Sequence, residues 1–448
     1  MTEQTILRAV NAVPSTRRRR WPALAALAAT SLAATALLAE FAVRAMMPAG
    51  RLLSPTAIET FAERAAREAS MIQPDDDLGH APVLGGPFYD EHGVLRMSPA
   101  VDGDGSEQTW LFLGDSVTRR GSLIKPLAAI WDGGKATFWN AGVESWNPTQ
   151  EVEGYFRSQR ALKPQRIVLT LHNNDLSEST VACLRNGVLT LCNPGSFVPV
   201  DPTWYRRSIL YELLVHFRHT DRLRPEHYTF REREVEAALV RLRDDAAAKG
   251  AQFSIVLLPI FAAPAARQEH EHRARELELA MLARLDVPFI DLQPVCDEIA
   301  RAGLDVRVTP TDPYHPDDAC GAMLAAVSAD LVLGPATLPT TALPRVVNPG
   351  ATQSFVIEAS AARKGLRVAL LDCGRGPLPT LDDPEAKQAA ATAALDANGH
   401  AVIELPCPAD TASGELLWHR AIVLAADDTV VARGRPQPMR IATLATTR

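Results

Sequence analysis

Several absences narrow the reading of this sequence before any motif does. None of its six cysteines falls in a C-x-x-C pair, so the spacing of zinc and dithiol sites is missing. No H-E-x-x-H occurs; His270 and His272 stand two apart on a charged helical stretch and so point to different faces. The G-x-S-x-G nucleophile elbow is also absent. No segment repeats at a fixed period. An excess of positive charge is missing: 46 Lys and Arg face 53 Asp and Glu, a mildly acidic net −7, which gives no support for nucleic-acid binding. No cofactor is implied.

The one dense basic cluster, Arg17 to Arg20, lies directly before an uncharged apolar run from Trp21 to Ala39. A helix of that length reaches roughly the 30 Å of a bilayer's hydrocarbon layer. Arginines before the span and none of like density after it set the N-terminus in the cytoplasm. The expectation is a basic tail over 1–20, a single-pass signal-anchor over 21–47 and an exported, periplasmic body. A cleaved signal peptide stays open, because Ala34-Thr35-Ala36 resembles a small-residue cleavage site.

Export makes disulfides possible. Cys183 and Cys192 bracket a turn signal, Arg185-Asn186-Gly187. Cys296 with Cys320, and Cys373 with Cys407, are the other candidate pairs, each inside one expected domain; six buried free thiols are the alternative.

Residues 48–105, rich in Pro, Gly and Asp, read as a stalk. Buried-strand runs follow at Thr109–Leu113, Ala136–Trp139, Arg166–Leu171, Phe253–Leu258 and Val287–Leu292, alternating with helical stretches such as Ala265–Leu285. That alternation predicts an α/β domain over 106–336, a parallel sheet covered on both faces. Residues 180–235 break the rhythm as an aromatic, basic insertion. From 340 to 448 short apolar runs (Ser354–Ile357, Val368–Leu371, Val402–Leu405, Ala421–Leu424) predict a small β-rich, sandwich-like domain, with Ala-rich Glu385–Leu395 as one helix.

Three features carry chemistry. Gly114-Asp115-Ser116 interrupts a strand and opens a helix, at the sheet edge where α/β sites form. Asn174-Asp175 follows a later strand, where an amide can donate to a developing oxyanion. Asp312-Pro313-Tyr314-His315-Pro316 offers a base and the carboxylate that orients it from one turn. Asp77 and His80 share the D-x-x-H spacing but precede every sheet strand.

This order of GDS, ND and D-x-x-H-P resembles the SGNH/GDSL hydrolase family, over roughly half the chain. Asn140 to Pro148 (NAGVESWNP) is similar to that family's second block, and the anchor with its stalk to the membrane-tethered bacterial members. The resemblance implies a three-layer αβα, flavodoxin-like sheet with Ser116 as nucleophile, His315 as general base and then acid, and Asp312 orienting it. It implies an oxyanion hole from the Ser116 N–H, a backbone N–H at Ser145 (or Gly142) and the Asn174 side chain. Ser145 stands where the family usually has glycine, and His172 replaces another. Asp115, His172 and Asp175 are further pocket candidates. The implied activity is hydrolysis of small acyl esters, acetyl above all, on envelope or exported polysaccharide. An O-acyltransferase using the same triad, and a non-catalytic glycan-binding or scaffold protein, are the alternatives.

Overall fold

The computed structural model describes residues 16–46, 71–75, 77–102, 106–176, 181–185, 188–192, 230–309, 312, 314–336, 338–379, 389–408 and 411–442. The chain divides into two compact units: Met1–Arg67 with Leu184–Val188 and Val198–Arg224, and the remaining segments from Glu68 onward. In the first, helix α1 (Thr16–Met46) contains a 19-residue stretch, Leu24–Ala42, long and apolar enough to cross a membrane. Its leucines at 24, 27, 32, 37 and 38 are all exposed, as a helix without a protein core around it requires.

The second unit begins with a hairpin, β1 (Ile72–Asp75) and β2 (Gly79–Pro82), and the short strand β3 (Ala100–Val101). A wound α/β segment follows: β4 (Gln108–Leu113), α2 (Ser116–Arg120), α3 (Ile124–Ile130), β5 (Ala136–Asn140), α4 (Pro148–Arg157) and β6 (Arg166–Leu171). β7 (Val181–Arg185) and β8 (Val188–Cys192), whose residues are divided between the two units, form a two-stranded sheet. Next come α5 (Glu232–Ala248), β9 (Gln252–Leu257), α6 (Glu269–Leu285), β10 (Phe289–Asp291), α7 (Gln293–Arg301) and α8 (Asp318–Leu333).

The sheet order is β10-β9-β6-β4-β5-β3. Five strands run parallel and only the edge strand β3 is antiparallel. Strand alternation assigns the core. Trp110 and Phe112 of β4 join Val168 and Val256 under α3, α7 and α8, while Leu111 and Leu113 join Ile167, Leu169 and Ile255 under α4, α5 and α6. The chain adds β5 on one side of β4 and then crosses to β6 on the other. That reversal opens a crevice at the carboxyl ends of β4 and β6, where ligands bind in such sheets.

Beyond α8, β11 (Thr340–Leu343), β13 (Thr352–Glu358) and β16 (His400–Pro406) form one antiparallel sheet. β12 (Val346–Val347), β14 (Arg367–Arg375), β15 (Ala389–Ala394), β17 (Leu416–Leu424), β18 (Val430–Arg433) and β19 (Gln437–Ile441) form the other. Phe355, Ile357 and Ile403 from the first share a core with Val368, Leu370 and Val423 from the second, as in a sandwich. This region also packs on the α/β segment: Trp418, Leu416 and Ala442 belong to the core cluster that holds α8. The Arg440 guanidinium donates to Asp317 at 2.6 Å, and Asp317 also caps α8 by accepting from the Cys320 N–H. Glu298 of α7 accepts from the backbone N–H groups of Arg345 and Val346.

Three expectations are corrected. From residue 71 onward the stretch read as stalk belongs to the body, because several of its large apolar groups are buried there, while Leu84, Phe88 and Met97 stay exposed. Met71, Ile72, Leu78, Tyr89 and Val94 are buried. The Ala-rich stretch is not helical where it is described: residues 389–394 form β15 against β14. Alanine's helix preference is a weak prior that tertiary context overrides, and here β14 supplies the pairing partner. Finally, Cys296, Cys320, Cys373 and Cys407 are buried free thiols, so neither Cys296–Cys320 nor Cys373–Cys407 forms. Three of them turn to carbonyl oxygens instead, Cys296 to Ile260, Cys373 to Leu371 and Cys407 to Pro408. A disulfide needs its two Cβ atoms in one narrow geometry, which residence in a shared segment does not supply. The side chains of Cys183 and Cys192 lie outside the described residues, as does most of 180–235.

Candidate active site

At the end of β4 the chain must stop being a strand and begin a helix within three residues. Gly114 makes this possible with φ +154; a Cβ there would lie 2.1 Å from the Thr118 hydroxyl and 2.2 Å from that of Thr170. Those two hydroxyls bond each other across the gap between α2 and β6. Asp115 caps α2, its carboxylate accepting from the Val117 N–H at 2.8 Å, and Ser116 is the first helical residue. Gly121, left-handed at φ +74, ends the helix after one turn and a half.

The turn that precedes α8 brings the base. Ser116 Oγ lies 2.8 Å from His315 Nε2, though the two are 199 residues apart. His315 Nδ1 lies 2.9 and 2.8 Å from the two Asp312 oxygens. Asp312 also accepts from the backbone N–H groups of Tyr314 and His315. Partial burial works to raise the Asp312 carboxyl, but the His315 hydrogen bond and the Tyr314 N–H outweigh it and hold it below its ordinary value. An ionised Asp312 fixes the proton of a neutral His315 on Nδ1, leaving Nε2 to accept from the serine hydroxyl. Ser116 and His315 are 9% and 8% exposed, open enough for a substrate tip and otherwise shielded.

Two further turns end the strands on either side of β4. After β6, the His172 N–H donates to Asp175 at 2.6 Å and the Asp175 N–H to the His172 carbonyl at 2.8 Å, which closes a tight turn through Asn174. His172 Nδ1 lies 2.6 Å from Asn174 Oδ1. After β5, Ser145 takes a left-handed conformation, φ +61, which suits a glycine but is open to serine at some cost. The Gly142 N–H donates to Asn140 Oδ1 at 3.0 Å, and its Cα sits against Arg119.

The sequence gives no sign of what supports this second turn. The Tyr89 hydroxyl, fully buried, donates to the Gly142 carbonyl at 2.8 Å. The Trp146 indole donates to the His80 carbonyl, and His80 Nε2 lies 2.9 Å from the Glu144 carbonyl. The rejected D-x-x-H histidine, His80, therefore braces the loop that carries Ser145.

Beneath the serine lies a group of buried acids. Asp115 is 3% exposed, Glu151 1% and Asp175 1%. Burial raises the Asp115 carboxyl to about 6. Burial, and then the charge of Asp115, raise those of Glu151 and Asp175. Neither Glu151 oxygen has a hydrogen-bond partner, which like burial disfavours its charged form. Asp115 thus serves as the cap of α2 and Asp175 as the closing residue of the turn after β6. Among the described residues no group of His, Cys, Asp and Glu is arranged to hold a metal ion.

No family model matches the chain. No curated protein matches it either. Solved structures do. An acetylxylan esterase from Geobacillus stearothermophilus is 15% identical over 51% of this chain and 95% of its own, with a TM-score of 0.32. An alpha/beta hydrolase enzyme from the metagenome of Lake Arreo, Spain, is 16% identical over 52% and 97%, with a TM-score of 0.33. TesA is 16% identical over 49% and 96%, with a TM-score of 0.30.

Proposed function

We propose that this protein is a serine esterase in which Ser116, His315 and Asp312 act as a triad. One observation carries the reading: a hydroxyl, an imidazole and a carboxylate joined in line, Ser116 Oγ to His315 Nε2 at 2.8 Å and His315 Nδ1 to Asp312 at 2.8 Å. Ser116 Oγ attacks the ester carbonyl while its proton passes to His315 Nε2. The tetrahedral oxyanion is met by the Ser116 and Ser145 backbone N–H groups and the Asn174 amide. As the ester C–O bond breaks, His315 returns the proton to the leaving alcohol. Water then attacks the acyl-serine by the same route and releases the acid. Asp312 remains ionised and steadies the imidazolium in both halves.

The substrate class follows from the family resemblance of the motifs: small acyl groups, acetyl foremost, on envelope or exported polysaccharide. Half-exposed Tyr314, next to His315, supplies an aromatic edge at the rim suited to a sugar ring. In this reading α1 crosses the inner membrane with Arg17 to Arg20 on the cytoplasmic side, and residues 106–336 act in the periplasm with 340–448 as an accessory domain.

The test is turnover of p-nitrophenyl acetate by the full chain in detergent, beside Ser116→Ala, with fluorophosphonate labelling of both. Loss of both turnover and label in the variant supports the reading. A full chain that neither hydrolyses the ester nor takes the label overturns it. A sugar acceptor that diverts the acyl group from water would identify transfer in place of hydrolysis.

A further inference from the structure

We propose that His172 is a positioning residue that holds the Asn174 amide with its NH2 group toward the oxyanion, and that its tautomer decides whether the hole works. The inference rests on the esterase reading above and deepens it. The geometry is local and specific. His172 Nδ1 and Asn174 Oδ1 are 2.6 Å apart, two residues from each other in a turn that the Asp175 bonds have closed. The ring is 1% exposed and lies between Phe261, at 5.7 Å between ring centres, and the edge of Tyr314, at 6.0 Å. It therefore touches both the turn that carries Asn174 and the neighbour of His315.

A neutral imidazole has one N–H and one bare nitrogen. Nε2 of His172 is buried with no hydrogen-bond partner, so a proton there would be a buried, unsatisfied donor. The proton belongs on Nδ1, where Asn174 Oδ1 accepts it. With its oxygen fixed on the ring, the Asn174 side chain can present only its NH2 on the opposite side. The other tautomer would draw the NH2 to the ring and turn an oxygen toward a developing negative charge. Burial lowers the His172 pKa to about 4, so the neutral form persists through the neutral range. A glycine at this position would hold the backbone turn but leave the amide free to flip.

Two variants of the full chain in detergent separate this role from packing. His172→Phe keeps a ring between Phe261 and Tyr314 but has no donor; His172→Asn restores an N–H near the place of Nδ1. His172→Phe is expected to lower kcat about ten- to a hundredfold, short of the 10²–10³ for losing an oxyanion donor outright. KM should change less than about threefold and the melting temperature should hold. His172→Asn should recover most of the lost kcat. Asn174→Ala should lower kcat further, and adding His172→Phe to it should cost little more. Wild-type kcat in His172→Phe, no recovery in His172→Asn, or an equal loss in the Asn174→Ala background would each overturn the assignment. Those outcomes leave Ser116 labelling and turnover intact. A wild-type chain without labelling or turnover would remove the esterase reading itself, and this role with it.

Discussion

The two sides of Ser116 are built by different means. On the base side, three side chains, Ser116, His315 and Asp312, form a chain of hydrogen bonds, with Asp312 held further by the backbone N–H groups of Tyr314 and His315. The turns that carry the proposed oxyanion donors, Ser145 and Asn174, are instead backbone conformations held by other residues. Tyr89 holds Gly142, His80 holds Glu144 and His172 holds Asn174. The difference teaches where each kind of information resides. A side-chain relay is written in residue types at short spacing, whereas a backbone hole is written in whatever fixes the backbone, and that can come from anywhere in the chain.

The largest effect should come from the base side. Asp312→Asn keeps the shape of the turn but favours the wrong His315 tautomer, and kcat should fall about 10⁴-fold at neutral pH. A loss under tenfold in steady-state kinetics would mean that His315 is oriented without its carboxylate. A smaller effect should come from the brace on the other side. Tyr89→Phe removes only the hydroxyl that meets the Gly142 carbonyl, and should lower kcat about three- to tenfold with stability reduced by about 1 kcal/mol. Unchanged kcat beside a lowered melting temperature would confine Tyr89 to folding and weaken the contrast.

The smallest effect concerns the acids beneath both sides. Burial, then the charge of Asp115, keep the Glu151 carboxyl above its unfolded value, so the folded chain retains a proton that the unfolded chain releases. This contribution is fully present below the unfolded pKa and is lost as pH rises through the folded one. Glu151→Gln should therefore melt higher than wild type near pH 8, by roughly 2–4 °C per kcal/mol gained, with the gap closing toward pH 4. A variant less stable than wild type at pH 8 would mean that Glu151 is ionised and paired.

How much of this was legible in the sequence follows the same division. The strands β4, β5, β6 and β9 were readable because continuous apolar runs leave few other structures. Ser116, His315 and Asp312 were readable because strand–turn–helix junctions and a short D-x-x-H place them. Residues 71–101 were misread because loop composition says nothing of what Tyr89 and Trp146 will find 53 and 66 residues away. The alanines of β15 carry no periodic signal at all, and only the neighbouring strand decides their state. Ser145 was named as a departure from a pattern, but its left-handed backbone is imposed by the loop around it.

The bond from Arg440 to Asp317 bears on how this chain can be inherited or recombined. Asp317 lies two residues beyond His315 and caps the helix that follows, so the terminal strand of the sandwich reaches the turn that presents the imidazole. A module joined by a free linker can be exchanged by recombination without disturbing its neighbour. Here a break after residue 336 would strip Trp418 and Leu416 from the core around α8 and withdraw a guanidinium from the helix cap. The β-rich segment is thus part of the wall behind the histidine, and substitutions in β19 and at Asp317 should be accepted or lost together.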